Sequence, residues 1–223
     1  MNKKLFVQAI AKLLLGIILV GVLIFLPAGT LKFFGGWLFM GVLFVPMLLA
    51  GIVMMFKNPD LLKKRLNAKE KENEQSLVVK LSGLMFIAGF IIAGLDFRFG
   101  WLPLPKGVTI GAAAVFLAAY ALYAEVLREN TYLSRTVEVQ EGQKVIDTGL
   151  YGIVRHPMYA VTLLLFLSMP LVLGSAISFV IFLAYPFIIA KRIKNEEELL
   201  TRELDGYAEY KNKVKYRLIP FVW

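Results

Sequence analysis

The sequence contains no cysteine and a single histidine, His156. Without cysteine the chain has no disulfide, no thiolate nucleophile and no cysteine-ligated metal, and its thiol content gives no indication of its compartment. One imidazole is also too few for a histidine-based metal cluster. We therefore predict no metal site.

Charged residues are scarce as well. They make up 18% of the chain and hydrophobic residues 58%, against roughly 25% and 45–50% in a soluble domain. Water alone is therefore not the expected solvent. Five stretches carry no charged side chain at all: Leu13 to Leu31, Phe33 to Phe56, Leu81 to Leu95, Gly107 to Ala124, and Pro157 to Ala190.

These uncharged stretches predict an all-α integral membrane protein with about six spans. A bilayer core requires about 20 apolar residues per helix, which the first, second and fourth stretches supply. The third reaches this length if it extends past Lys80, whose long stem can snorkel. The fifth is too long for one span. It predicts a tight helical hairpin, with helices near 158–172 and 176–191 and a turn marked by Pro170 and Gly174-Ser175.

The basic residues test this topology independently, because Lys and Arg accumulate in cytoplasmic loops. With the amino terminus inside, all but Lys32, Arg98 and Lys106 of the 25 basic residues fall on one side. We therefore predict a multi-pass protein, in the cell membrane if the source is prokaryotic, with cytosolic termini and cytosolic loops at 57–76 and 127–156. The net charge of +9 is then a topological signal, and we expect no nucleic-acid partner.

The predicted spans divide the chain into two regions. Residues 1–127 hold four spans and the loop 57–76, in which Asn58-Pro59-Asp60 predicts the start of a short surface helix. Residues 128–223 hold the second cytosolic loop, the hairpin 157–191 and a cytosolic tail.

The second region has two further patterns. Alternating residues over Thr136 to Gln140, a glycine turn at Gly142 and the segment Lys144 to Ile146 predict a small extended lobe. In the tail, one broad helical face predicts a cytosolic helix that lies against the bundle. That face consists of Leu199, Leu200, Leu204 and Tyr207.

Ionisable residues avoid the middle of every span, which disfavours a proton-coupled transporter or pump. They gather instead where the hairpin begins, at Arg155-His156-Pro157-Met158-Tyr159, and where it ends, at Arg192 and Glu196-Glu197. Each cluster alone has an ordinary explanation: a helix start at a membrane interface, or a weak surface ion pair between residues four apart. Because a hairpin brings its two ends together, their convergence favours a functional site.

Three ordered motifs now make the sequence recognisable: the run from Gly149 to Tyr159, the Arg192-x-x-x-Glu196-Glu197 pattern, and Tyr207-x-x-Tyr210. Together they resemble the isoprenylcysteine carboxyl methyltransferase family. The resemblance covers about 130 to 220, and Glu141-Gly142-Gln143-Lys144 fits the upstream loop of that family.

The resemblance implies a membrane methyltransferase that uses S-adenosylmethionine, with a cytosolic cofactor-binding lobe and a tunnel open to lipid. It makes residues 128–223 the catalytic region. It implies that Glu196 acts with Arg192 in catalysis, and that Arg155 orders the loop. The cofactor-binding set that it implies is Gln143, Lys144, Val145, Tyr151, Arg155, His156, Tyr159, Glu196 and Glu197.

The acceptor implied by the resemblance is lipophilic and comes from the bilayer, where membrane lipids are the other expected partners. An isoprenylcysteine-like carboxylate is the first candidate, since Arg192 would orient it through charge-assisted hydrogen bonds. Related membrane proteins methylate phospholipid amines or hydrophobic thiols, and a related architecture serves nicotinamide-dependent sterol-type reductases. A non-enzymatic membrane scaffold or binder is a further alternative. No Gly-x-Gly-x-x-Gly follows a predicted strand, so a soluble dinucleotide-binding fold is not expected.

Overall fold

The computed structural model describes residues 3–66, 73–133 and 139–223, and within them regular structure is helical, with no strand. The helices are α1 (Lys3–Ala28), α2 (Phe34–Lys57), α3 (Pro59–Leu66), α4 (Asn73–Phe99), α5 (Lys106–Glu129), α6 (Pro157–Val172), α7 (Ala176–Phe182), α8 (Tyr185–Glu203) and α9 (Tyr207–Lys213). A short 3-10 turn, Gly149–Gly152, precedes α6.

Helix length and composition confirm an all-α integral membrane protein. Four helical segments, Lys3–Ala28, Phe34–Lys57, Ser76–Phe99 and Lys106–Glu129, are long and apolar enough to cross a membrane, and so is Ala176–Glu203, which combines α7 and α8. The apolar α6 is shorter, at 16 residues. With α6 there are six apolar segments among the described residues, which is the number that the uncharged stretches predict.

The hairpin turns where the sequence predicts it. Helix α6 ends at Val172, Gly174 adopts a φ of 77° that favours glycine, and the Ser175 hydroxyl caps α7 by accepting from the Ser178 amide. Pro170 lies inside α6 rather than in the turn.

The second half of the hairpin differs from the prediction of one helix over 176–191. It consists of two helices, because the helix is interrupted by a turn at residues 183 and 184, and α8 begins at Tyr185, followed by Pro186. Proline lacks the amide hydrogen that a continuous helix would use there. Helix α8 then runs on to Glu203, well past 191.

Aromatic rings fill the centre of the bundle. Phe39, Phe90 and Phe182 are buried in one cluster, and Phe90 contacts both of the others. Helix α4 allows this approach through Gly89, where a Cβ atom would overlap the Phe182 ring.

Polar contacts assign the loops to the two ends of the bundle. At one end, Asp96 accepts from the Leu102 amide at 2.7 Å and from the Ser175 hydroxyl at 2.5 Å. At the other end, the Lys12 ammonium donates to the Leu66 carbonyl and Arg65 donates to the Tyr123 hydroxyl. The helix predicted from Asn58-Pro59-Asp60 is confirmed as α3 and lies at this second end.

The predicted extended lobe is described only in part, because residues 136–138 of the alternating segment lie outside the described residues. Residues 139–146 are non-helical, and Gly142 turns with a φ of 68°. The prediction of a single helix in the tail is wrong in one respect. Gly206, with a φ of 80°, interrupts it before Tyr207, so Leu204 and Tyr207 do not share a continuous helix. They meet instead in a small cluster with Tyr210 and Val214.

Candidate functional site

The hairpin entry, α8 and α9 surround an open cleft at the end of the bundle that holds α3. Its empty space is about 810 Å³, including the open mouth. Nine of the ten candidate residues line it: Gln143, Lys144, Val145, Tyr151, Arg155, His156, Tyr159, Arg192 and Glu196. The structure therefore brings together side chains that are up to 53 residues apart in sequence, from Gln143 to Glu196.

The tenth candidate, Glu197, lies beneath the cleft. Its carboxylate is 3% exposed and accepts from Arg155 Nε at 2.6 Å and from Arg217 Nε at 3.0 Å, with His156 Nε2 at 3.2 Å. Three polar partners occupy this carboxylate, and it is not on the wall of the cleft in the described residues. With these contacts, Glu197 organises the side chains beneath the cleft.

Arg155 ties the tail of the chain to the hairpin entry. Its guanidinium donates to the Val214 carbonyl at 2.7 Å and to the Lys215 carbonyl at 2.9 Å. Its backbone amide donates to the Tyr216 carbonyl at 2.9 Å. Because these partners lie some 60 residues away, Arg155 fixes the tail against α6.

Tyr159 stands between a cation and an anion on the cleft wall. Its hydroxyl donates to Glu196 Oε2 and accepts from Arg192 Nε at 2.9 Å. The Arg192 guanidinium also lies 5.9 Å from the centre of the Tyr159 ring, which stacks on His156 with centroids 5.7 Å apart. The wall therefore presents positive, negative and aromatic surfaces within one helical turn of α6 and α8.

Tyr151 enters the cleft on the 3-10 turn, which is anchored to the end of α5. Glu129 accepts from the Leu150 amide at 3.0 Å, and Asn130 donates to the Tyr151 hydroxyl at 3.1 Å. The Tyr151 carbonyl accepts from the Tyr210 hydroxyl at 2.7 Å. Burial raises the pKa of Tyr151 and of Tyr210 above the usual range, so both phenols stay protonated and neutral at physiological pH.

Gln143 shapes the loop on the opposite wall. Its side-chain oxygen accepts from the backbone amide of Gln140 at 2.9 Å, and its backbone amide donates to the backbone carbonyl of Gln140 at 3.0 Å. These reciprocal bonds close the turn that carries Lys144 and Val145. Val145 packs on the small cluster of α9.

The cleft also contains residues that the sequence analysis did not name as site residues. They are Asn130, Tyr132, Leu133, Ile146, Met158, Leu200, Leu204, Tyr207 and Tyr210. The Tyr207-x-x-Tyr210 motif contributed to the family resemblance, whereas Asn130 carried no signal, because its contact with Tyr151 arises from the fold. Tyr207 is 4% exposed and its hydroxyl has no hydrogen-bond partner among the described residues. Burial, reinforced by the nearby Glu197, raises its pKa.

Among the described residues, no group of three or more His, Asp or Glu side chains is arranged to hold a metal ion. The described cleft instead offers hydrogen-bonding groups of both charge signs beside aromatic rings.

One family model matches part of the chain. The family model described as the isoprenylcysteine carboxyl methyltransferase (ICMT) family matches residues 110–202. The match includes the 3-10 turn, the hairpin and α8 as far as Arg202, but not α1 to α4 or α9.

One curated relative is a Delta(14)-sterol reductase of Mus musculus. It is 29% identical over 91 residues, which is 40% of this chain and 22% of the reductase. The chain therefore spans about a fifth of the length of that relative.

Proposed function

Because residues 110–202 match the model of the isoprenylcysteine carboxyl methyltransferase family, we propose that the protein is a membrane methyltransferase. In this proposal the cleft binds S-adenosylmethionine and the methyl acceptor is a lipophilic molecule from the bilayer. The observation that carries the proposal is the wall of the cleft. It combines Arg192, Tyr159 and Glu196 in one hydrogen-bonded row within the matched region.

The described residues fit the cofactor. S-adenosylmethionine has a carboxylate, an ammonium, a sulfonium and an adenosine, so its pocket needs partners of both charges and an apolar slot. Glu196 and His156 would hold the polar end, and the rings of Tyr151 and Tyr159 would line the rest. The buried Tyr207 hydroxyl, which lacks a partner in the described residues, supplies a donor that a bound ligand would satisfy.

A second, larger cavity supports a lipophilic acceptor, and we refer to it as the apolar cavity. It lies next to the cleft along α5 and α6. Tyr123 and Leu127 of α5 line the apolar cavity while Asn130 lines the cleft, and on α6 Thr162 lines the apolar cavity while Met158 lines the cleft. These positions follow the spacing of one helical face. An acceptor would thus keep its chain in the apolar cavity while its reactive group reaches the cleft.

When bound, the cofactor supplies a methyl group on a positively charged sulfur. An acceptor carboxylate would take up that methyl group as an ester without losing a proton, so no residue of the chain would have to act as a base. The protein's contribution is to orient the acceptor and exclude water. Arg192, which Tyr159 holds in place, would orient the carboxylate.

Arg192→Lys tests the acceptor class. Lysine keeps the charge but cannot reproduce the paired, planar contact of a guanidinium with a carboxylate. Methylation of a prenylcysteine analogue should fall on the order of a hundredfold, while cofactor binding is largely kept. Parallel assays would use a phosphatidylethanolamine and a hydrophobic thiol. Activity confined to the amine or the thiol, with Arg192→Lys near wild type, would contradict the proposal of carboxyl methylation. The proposal that the protein is a methyltransferase would stand.

A nicotinamide-dependent sterol-type reductase is the second candidate function, and the similarity to the mouse reductase favours it. A membrane scaffold or binder without enzymatic activity is the third. Binding separates the three, because the methyltransferase should bind S-adenosylhomocysteine and not NADPH. A reductase should show the reverse preference, and a scaffold should bind neither.

We also propose that the cleft faces the cytosol, since the basic residues gather at that end of the bundle. A reporter fused after Trp223 should then read cytosolic, as should a tag on the amino terminus. A C-terminal reporter that reads external beside a cytosolic amino-terminal tag would mean that the number of spans is odd.

A further inference from the structure

Helix α3 lies between the apolar cavity and the cleft. It belongs to the amino-terminal half of the chain, which the family match does not include. Leu62, Arg65 and Leu66 of α3 line the apolar cavity, whose empty space is about 2000 Å³ including its open face. The contacts of Lys64, between them in sequence, lead instead to the cleft. The helix therefore touches the surroundings of both spaces.

The cavity side of α3 is held by residues that themselves line the apolar cavity. Leu62 is buried, at 4% exposed. The Lys12 ammonium of α1 donates to the Leu66 carbonyl, and Arg65 donates to the Tyr123 hydroxyl of α5. Lys12 and Tyr123 both line the apolar cavity. A chain bound there would thus contact α3 and the side chains that fix its position.

Lys64 contacts the segment that follows α5. Its ammonium donates to the Thr131 carbonyl at 3.5 Å and lies 5.9 Å from the centre of the Tyr132 ring. Tyr132 lines the cleft. Lys63, the preceding residue of α3, is exposed, so it provides a matched charge for comparison.

Tyr132 in turn holds the loop on the far wall of the cleft. Its hydroxyl donates to the Gly142 carbonyl at 3.1 Å, and its carbonyl accepts from the side-chain amide of Gln140. Gln140 and Gln143 close the turn that carries Lys144. The contacts therefore run from α3 through Tyr132 to the loop that holds three of the candidate cofactor residues.

We propose that α3 couples occupancy of the apolar cavity to the order of this loop, with Lys64 as the positioning residue. A chain that packs on Leu62 and Leu66 restrains α3 and so strengthens the contact of Lys64 with Tyr132. The loop then loses less conformational entropy when a second ligand binds in the cleft. Such coupling is reciprocal, so each ligand raises the affinity for the other by the same factor. The inference rests on the proposed function only in taking the ligand of the cleft to be the methyl donor.

Hydrogen exchange of the backbone amides of residues 139–146 tests the coupling without any ligand in the cleft. The full chain in lipid nanodiscs is compared with and without hexadecyl glycerol ether, an uncharged probe for the apolar cavity. In wild type the ether should slow exchange of the loop. Without ether, Lys64→Gln should exchange about two- to fivefold faster than wild type, and adding the ether should not slow it.

Two further variants separate the contact of Lys64 from its charge. Lys64→Arg should behave as wild type, because a guanidinium also stacks on an aromatic ring. Lys63→Gln should match wild type as well. Exchange in Lys64→Gln equal to that of wild type, or slowed by the ether as in wild type, would overturn the inference, and so would absence of any ether effect in wild type.

Gly51→Leu tests where the ether acts. Gly51 of α2 lines the apolar cavity, and a Cβ atom there would meet nothing within 4 Å, so the leucine side chain takes up space inside it. The variant should lose the ether effect on the loop. Gly41→Leu should keep it, because Gly41 is equally open but is not among the residues that line the apolar cavity. A normal ether effect in folded Gly51→Leu would contradict coupling from this cavity.

Calorimetry with S-adenosylhomocysteine then links the coupling to the proposed function. The ether should raise the affinity of wild type about two- to fivefold and leave that of Lys64→Gln unchanged. An equal rise in both proteins would overturn the role of Lys64. If S-adenosylhomocysteine binds to neither while the exchange pattern holds, the assignment of the cleft to the methyl donor falls and the coupling through α3 stands.

Discussion

Arg155 and Glu197 form a buried ion pair that joins the start of the hairpin to its end, with Nε and Oε1 2.6 Å apart and neither residue more than 8% exposed. His156, next in the chain, approaches the same carboxylate oxygen. The pair lies directly beneath the cleft. It therefore sets the positions of the wall residues on α6 and α8 relative to each other.

Glu197→Gln should destabilise the protein strongly, because it leaves the Arg155 guanidinium buried without its counter-charge. Breaking a buried pair from one side costs about 3–5 kcal/mol. Thermal unfolding in detergent measures this loss. Glu203→Gln is the control, since its partner Arg202 and Glu203 itself are exposed, and such pairs contribute little. Similar unfolding curves for both variants would mean that the buried pair is not structural.

Asp96→Ala should destabilise the far end of the bundle without affecting the cleft. The substitution leaves the buried Ser175 hydroxyl without its acceptor, which costs about 1–3 kcal/mol. It also removes the acceptor of the amide of Leu102, a largely exposed residue. Unfolding should therefore occur earlier while cofactor affinity in the folded fraction stays at the wild-type value. A selective loss of affinity with unchanged stability would contradict the separation of the two ends.

Gly149→Ala should disturb the turn that carries Tyr151. Gly149 has a φ of 51°, and an added Cβ would overlap the Glu129 carboxylate that holds the Leu150 amide. Gly142→Ala is the matched control, because its φ of 68° imposes similar strain but a Cβ there meets nothing within 4 Å. Calorimetry should show a larger loss of cofactor affinity for Gly149→Ala. Equal losses would place the effect in backbone strain alone.

Tyr207→Phe should separate stability from binding. Removing a buried hydroxyl that has no partner in the described residues should leave stability unchanged or slightly higher, yet cofactor affinity should fall about tenfold. Tyr210→Phe is the comparison. It removes the bond to the Tyr151 carbonyl and should cost about 1 kcal/mol of stability. Unchanged affinity in folded Tyr207→Phe would remove that hydroxyl from the ligand site.

The sequence predicts the parts of the fold that depend on local patterns. Uncharged runs indicate the apolar helices, and the Gly174-Ser175 pair indicates the hairpin turn, where positive φ and a serine cap are local properties. The helix break before Tyr185 has a local signal in Pro186, and the interruption of the tail helix has one in Gly206. The sequence does not predict either feature, because the apolar and amphipathic patterns continue across both positions.

The site is predictable only in outline. Motifs on both sides of a hairpin indicate that Arg155, His156 and Glu196 converge, since the two ends of a hairpin meet. The division of roles between the adjacent carboxylates is not encoded locally. Glu196 reaches Tyr159 on the cleft wall and Glu197 reaches Arg155 beneath it, because successive residues of a helix point in different directions. The contact of Asn130 with Tyr151 likewise follows from packing of the 3-10 turn on α5.

The most direct test of the central claim is calorimetric titration of the purified protein in detergent with S-adenosylhomocysteine. The account predicts saturable binding to one site per chain, no binding of NADPH, and affinities lowered about tenfold to a hundredfold in His156→Ala and Glu196→Ala. Circular dichroism would establish that both variants are folded. Absence of binding to the wild type, or unchanged affinity in both folded variants, would contradict the assignment of this cleft to the methyl donor.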